Sequence, residues 1–220
     1  MTTAGSREFK LPNLLSKLKK LAPLPLPGHE AQFKMAPVGR KDKPIPYSHS
    51  DDPKDSAVIL FLESGSAGQT YIYFILRKKY KGVHSGQIGF PGGKLETGDP
   101  DLMHAGMREA YEEIGINPDC YSIIQSLTSL YVPASHFLIH PFLAIIERPF
   151  EPKIEHREVE ELIRVPLSLF FLNENIKQTR MTFSNHYQTD VPYYDLFGKV
   201  LWGATAMITS ELVEMIRQLR

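Results

Sequence analysis

Residues 92–115 constrain the chain more than any other stretch: a glycine-rich loop runs into one amphipathic helix that ends in a cluster of glutamates. Gly92, Gly93 and Gly98 allow close backbone approach to a ligand. Asp99 is a good N-cap, Pro100 suits the first helical position, and Asp101 suits the positive end of the helix dipole. The helix is therefore predicted over 100–114, with Gly115 as C-cap. Met103, Met107, Ala110 and Ile114 give it one apolar face. Glu109, Glu112 and Glu113 stand at i, i+3 and i+4, on one stretch of helix surface. Like charges this close are destabilising unless something offsets them. One reading is a solvated face. The other is a hard-oxygen site for Mg²⁺ or Mn²⁺, completed by loop carbonyls. Arg108 can pair with Glu112, four residues on, or with Asp99.

Around this segment the chain reads as strands mixed with three or four helices, an α/β or α+β layered domain. Residues 57–62 and 70–76 are apolar strands joined by a turn at 63–68, so a hairpin is expected. Residues 80–100 read mostly as loop. Further strands are predicted over 121–132, 137–147 and 158–165, a short helix over 166–172, one or two strands between 178 and 202, and a closing amphipathic helix over 209–219. Ahead of this body, residues 7–21 carry leucines at helical spacing among lysines. A surface helix packed on the body is expected there, with a homodimer contact or a partner helix as alternatives. Seven prolines between Pro23 and Pro53 predict an extended, irregular arm. The division is thus 1–53, helix and proline-rich arm, and 54–220, the main domain.

Charge and cysteine usage narrow the function classes. The 220 residues hold 25 Lys plus Arg against 25 Asp plus Glu, so the basic field of a non-specific nucleic-acid or membrane-surface binder is missing. The single cysteine, Cys120, allows no intrachain disulfide. Residues 1–10 are polar, and no apolar run approaches the roughly 20 residues of a membrane span, so a soluble, cytoplasmic protein without a secretory signal is expected.

The segment resembles the Nudix box, Gly-x5-Glu-x7-Arg-Glu-U-x-Glu-Glu-x-Gly-U, with U a bulky apolar residue. Gly93 matches its first glycine, and Arg108-Glu109, Glu112-Glu113, Gly115 and Ile116 match its end in register. Asp99 replaces the first glutamate, Ala110 replaces the bulky residue, and eight residues rather than seven separate Asp99 from Arg108. Upstream, Arg77, Gly86 and Phe90-Pro91-Gly92-Gly93 follow the spacing of the coenzyme A pyrophosphatase-like subgroup, although Lys78 and Gly82 depart from it. Residues 158–167 and 202–206 also resemble that subgroup.

The resemblance implies an α/β/α sandwich with a mixed β-sheet. It implies metal-dependent hydrolysis of a pyrophosphate in a nucleoside-diphosphate-linked small molecule. The substrate implied is coenzyme A or acyl-CoA, cut to 3′,5′-ADP and 4′-phosphopantetheine. ADP-ribose, NADH or dinucleoside polyphosphates are the alternatives, and a non-catalytic nucleotide-binding module is the rival of another class. Glu109 and Glu113 are the expected metal ligands, with Glu112 and the Gly93 carbonyl in support. Glu109, Glu112 and Arg108 are the expected catalytic residues. Glu158, Glu160 and Glu161 are late candidates for the general base, weighed against a solvated strand edge. Arg77, Lys78, Lys79, Phe90 and Gly92 are the expected substrate contacts, with Lys81 in the same basic cluster. Tyr111 and Trp202 read as packing residues, His84 and His136 as surface or structural ones, and Cys120 lacks a recognisable catalytic partner.

Overall fold

In this computed structural model, residues 13–41, 52–65, 68–79, 84–182 and 188–219 are described. The start of the N-terminal helix, part of the proline-rich arm, and Lys81 and Gly82 fall outside them.

A mixed sheet forms the centre. Its main path runs from β3 (Ile88–Gly89) through β2 (Thr70–Arg77), β1 (Lys54–Ser64) and β7 (Phe137–Ile146) to β5 (Tyr121–Ser126). The expected hairpin is present: β1 and β2 pair antiparallel, Leu62 opposite Ile72. β1 and β7 pair in parallel over the whole length of β7, from Lys54–Phe137 to Glu63–Ile146. β4 (Gly92–Lys94) pairs with β1, β6 (Leu130–Val132) with β7, and β8 (Val159–Pro166) with β2. A second sheet of three strands holds β9 (Ile176–Thr182), β10 (Gln188–Leu196) and β11 (Lys199–Leu201).

β1 and β2 read as unbroken apolar runs because both faces are covered. Ile59, Phe61, Tyr73 and Ile75 face a layer holding Ala110 and Ile114 of α4 (Leu102–Ile114). Leu60, Leu62, Ile72 and Phe74 face the opposite layer, which holds Met207, Leu212 and Ile216 of α5 (Gly203–Arg217). Helices on both faces of a mixed sheet give the expected α/β/α sandwich.

Three expectations change here. α5 begins at Gly203, ahead of the expected Thr209. Its residues from Ala206 to Val213 are all buried, so its first turns show no polar stripe from which to read a period. The segment expected to be an irregular arm contains α2 (Gly28–Phe33) and α3 (Val38–Lys41). Ala31, Met35 and Ala36 are buried, and Leu14 and Leu18 of α1 (Leu14–Leu21) enter the α5-side core. The buried carboxylate of Glu211 in α5 anchors α2. It accepts from Gln32 Nε2 at 2.8 Å, Thr128 Oγ1 at 2.5 Å and Gly28 N at 3.2 Å. Finally, α4 starts two residues later than expected. Asp101, not Asp99, is its N-cap, accepting from His104 N at 2.9 Å.

Candidate active site

Two successive glycines set the site. Gly92 has φ +146°, and a Cβ there would lie 2.2 Å from the Ala57 carbonyl oxygen of β1, so only glycine fits. Its N–H donates to Glu113 Oε2 at 2.9 Å, and its carbonyl accepts from Arg77 Nη2 at 3.1 Å. A Cβ on Gly93 would lie 2.2 Å from Glu109 Cδ. The loop backbone thus lies against both expected ligand carboxylates, which are one helical turn apart.

Burial sorts the three glutamates. Glu113 is 2% exposed, Glu109 is half-buried and Glu112 is exposed. Burial pushes the Glu113 carboxyl up to about 7, against the opposing pull of Arg77 and the Gly92 N–H, with the Glu109 and Glu158 charges adding to the rise. Burial also raises Glu109, and Glu112 and Glu158 add to it while Arg108 opposes it. Arg77 Nη2 lies 3.7 Å from Glu113 Oε1.

Arg108 makes both of the pairings open to it from sequence. It donates to Asp99 Oδ1 at 2.9 Å and Oδ2 at 3.1 Å, to Glu112 Oε2 at 3.0 Å and to Glu109 Oε1 at 3.2 Å. A further bond reaches the Lys94 carbonyl at 3.2 Å. The Asp99 bonds hold the guanidinium firmly protonated, and Arg108 and the Glu96 N–H hold Asp99 below the usual carboxylate range. Asp99 therefore fastens Arg108 to the loop and does not cap the helix.

The connection from β7 to β8 forms the facing wall. Lys153 N donates to the Ile114 carbonyl and Glu155 N to the Glu113 carbonyl, both at 3.0 Å, so it satisfies carbonyls that the helix end leaves open. Lys78 Nζ donates to the His156 carbonyl at 2.6 Å and pins the same connection. Glu158 sits where this wall meets β8. Of the three late glutamates it is the one whose charge raises both Glu109 and Glu113. Glu161 instead pairs with Lys199 at 2.6 Å, and Glu160 is exposed on β8.

The expected substrate contacts separate. Arg77 faces the carboxylates, Lys78 is committed to the facing wall, and Lys79 is exposed. Phe90 is a correction: it is 2% exposed and stacks on Phe74 with centroids 4.9 Å apart, so it is core and offers no surface to a ligand. Gly92 acts through its backbone, on Glu113. Tyr111 is a correction in the other direction. It is 55% exposed rather than packed, and with Phe150 it lines a cavity of about 820 Å³ between the end of α4 and the facing wall. Sequence reading missed this wall because only Glu158 in it carried a motif signal.

Among the described residues, no three His, Cys, Asp or Glu side chains converge as a ready-made metal centre. The donor chemistry still fits a hard divalent cation. Glu113 is buried and Glu109 half-buried, so their ionised forms are poorly hydrated and repel each other, and such an ion offsets both effects.

The family model described as the NUDIX domain matches residues 53–186, and the chain belongs to the Nudix family. As a class, Nudix hydrolases work with divalent metal ions. Nudix hydrolase 15 of Arabidopsis thaliana, a mitochondrial protein, is 31% identical over 180 residues, 78% of this chain and 62% of its own length. A mitochondrial coenzyme A diphosphatase of Homo sapiens is 27% identical over 167 residues, 74% of this chain and 70% of its own. A peroxisomal coenzyme A diphosphatase of Mus musculus is 29% identical, covering 70% of this chain and 62% of its own length. A solved Nudix hydrolase from M. smegmatis shares the fold at TM-score 0.54 and 13% identity, over 76% of this chain and 88% of that one. No helix among the described residues is long and apolar enough to cross a membrane.

Proposed function

We propose that this chain hydrolyses the pyrophosphate of coenzyme A or acyl-CoA, giving 3′,5′-ADP and 4′-phosphopantetheine or its acyl form. The observation that carries the reaction class is the clamp of Gly92 and Gly93 on Glu113 and Glu109. The substrate rests on the upstream spacing of Arg77, Gly86 and residues 90–93, and on relatives named coenzyme A diphosphatases.

Glu109 and Glu113, with Glu112 and the Gly93 carbonyl in support, would hold Mg²⁺ or Mn²⁺. Bound there, the ion supplies charge neutralisation at the phosphoryl oxygens. The chain's own residues do the rest. Arg108 fixes Glu109 and Glu112 relative to the loop through its two hydrogen bonds to the Asp99 carboxylate. Arg77 balances the buried charge of Glu113. Water attacks one phosphorus, the anhydride P–O bond breaks, and the water's proton passes to a carboxylate. Glu109, Glu112 and, from the facing wall, Glu158 are the acceptors this fold supplies.

Product analysis on a small panel tests the reading. With Mg²⁺ or Mn²⁺, coenzyme A should give 3′,5′-ADP and 4′-phosphopantetheine more efficiently than ADP-ribose, NADH or a dinucleoside polyphosphate is cut. Preference for one of those three would move the substrate assignment. Nucleotide binding without turnover on any of them would make the chain a binding module.

A further inference from the structure

We infer that the cavity beside the end of α4 seats the uncharged pantetheine arm of the substrate and not its nucleotide half; this rests on the coenzyme A reading above. The cavity is continuous with the site, because Glu112, Glu113 and Glu158 are part of its lining. A substrate whose pyrophosphate meets those carboxylates therefore extends one of its halves into it.

The two halves differ in charge. The 3′-phosphorylated nucleotide adds nearly two negative charges beyond the pyrophosphate. The pantetheine arm adds none: it carries two amides, a gem-dimethyl group and a terminal thiol or thioester. The lining adds two further glutamates, Glu151 and Glu155, to the three of the site. The ion that Glu112 and Glu113 would hold offsets those two, and the remaining three, Glu151, Glu155 and Glu158, outnumber the two cations, Lys153 and Arg157. A second phosphate placed here would meet excess like charge, whereas an uncharged arm would not. The rest of the lining suits such an arm. Tyr111 offers an exposed ring. Phe150 is partly buried and held edge-on by Tyr73, with centroids 5.9 Å apart. The half-buried Cys120, just ahead of β5, also lines the cavity. Rings cover methyl and methylene groups, while their edges and the open rim leave the amides hydrated.

Two measurements decide this. The first is the kinetics of Tyr111→Ala, a change at an exposed position. Its KM should rise about tenfold, and equally, for coenzyme A and 3′-dephospho-coenzyme A, with kcat within about twofold of the unaltered chain. The second uses Cys120, the only cysteine in the sequence, as a reporter. Saturating S-methyl-4′-phosphopantetheine, which has no free thiol, should slow maleimide labelling of Cys120 about tenfold, and 3′,5′-ADP should leave the rate unchanged. Protection by 3′,5′-ADP, or a KM rise confined to coenzyme A, would put the nucleotide half in the cavity and overturn the inference. An unchanged KM with no protection, while coenzyme A is still hydrolysed, would also overturn it and leave the proposed function standing. If the unaltered chain fails to cut coenzyme A at all, the proposed function falls instead.

Discussion

The N–H of Gly92 donates to the buried carboxylate of Glu113 at 2.9 Å, so a loop residue and a helix residue 21 positions apart form one unit. The same glycine's carbonyl accepts from Arg77, which lies 3.7 Å from that carboxylate. The loop is held from both sides before any ligand arrives.

This burial has a pH signature in the metal-free protein. Glu113 rises from an ordinary 4.5 to about 7 on folding, so the folded state binds its proton more tightly than the unfolded chain does. The stability this gives is complete below about pH 4.5 and is lost as pH rises through about 7. In EDTA, the Tm of the unaltered chain should fall across that window. Glu113→Gln keeps an acceptor for Gly92 and should flatten the fall, so that it is the more stable protein at pH 8. Parallel Tm profiles for the two proteins would contradict the assigned burial.

The paired glycines should separate structure from activity. At Gly92, an alanine Cβ meets β1 backbone that cannot move aside, so Gly92→Ala should cost about 3 kcal/mol or more. At Gly93, the obstacle is the end of the Glu109 side chain. Gly93→Ala should displace that carboxylate, leaving Tm nearly unchanged and turnover down about a hundredfold. Chemical denaturation and single-substrate kinetics on both variants check this.

Asp99 and Asp101 should also part company. Asp101→Ala removes the N-cap of α4 and should lower Tm with turnover retained. Asp99→Asn removes the charge that holds Arg108 and should lower kcat about tenfold with little change in Tm. The opposite pattern would restore Asp99 as the cap.

The N-terminal helices should depend on Glu211. Glu211→Ala removes the acceptor of the Thr128 hydroxyl and the Gly28 N–H and leaves the Gln32 amide only its bond to the Thr128 carbonyl, and should cost on the order of 3 kcal/mol. A Tm equal to that of the unaltered chain would show that α2 is held by its apolar contacts and its remaining bonds, such as Ser210 Oγ to the Ala31 carbonyl at 2.7 Å.

What could be read from sequence was local. The β1–β2 hairpin, the α4 apolar face and the register of Arg108 with its glutamates follow from periodicity and spacing. What depended on distant partners was hidden. Phe90 belongs to a loop motif, yet its ring finds Phe74 in the core. Glu158 looks like Glu160 and Glu161 in sequence, and only the path of the β7–β8 connection separates them. The prolines of the arm marked breaks but could not show that Met35 and Ala36 have a core to enter. Asp99 and Asp101 are both good caps; the reach of Arg108 across the loop decided between them.

The central claim is that Glu109 and Glu113 form the catalytic metal site, and turnover of their glutamine variants tests it most directly. Purified Glu109→Gln and Glu113→Gln, confirmed folded by circular dichroism, would be assayed for release of 3′,5′-ADP from coenzyme A with Mg²⁺ or Mn²⁺. The substitutions keep size and hydrogen bonding but remove a charge, so the expected loss is at least about a hundredfold in kcat for each. Near-normal turnover in either folded variant would contradict the account.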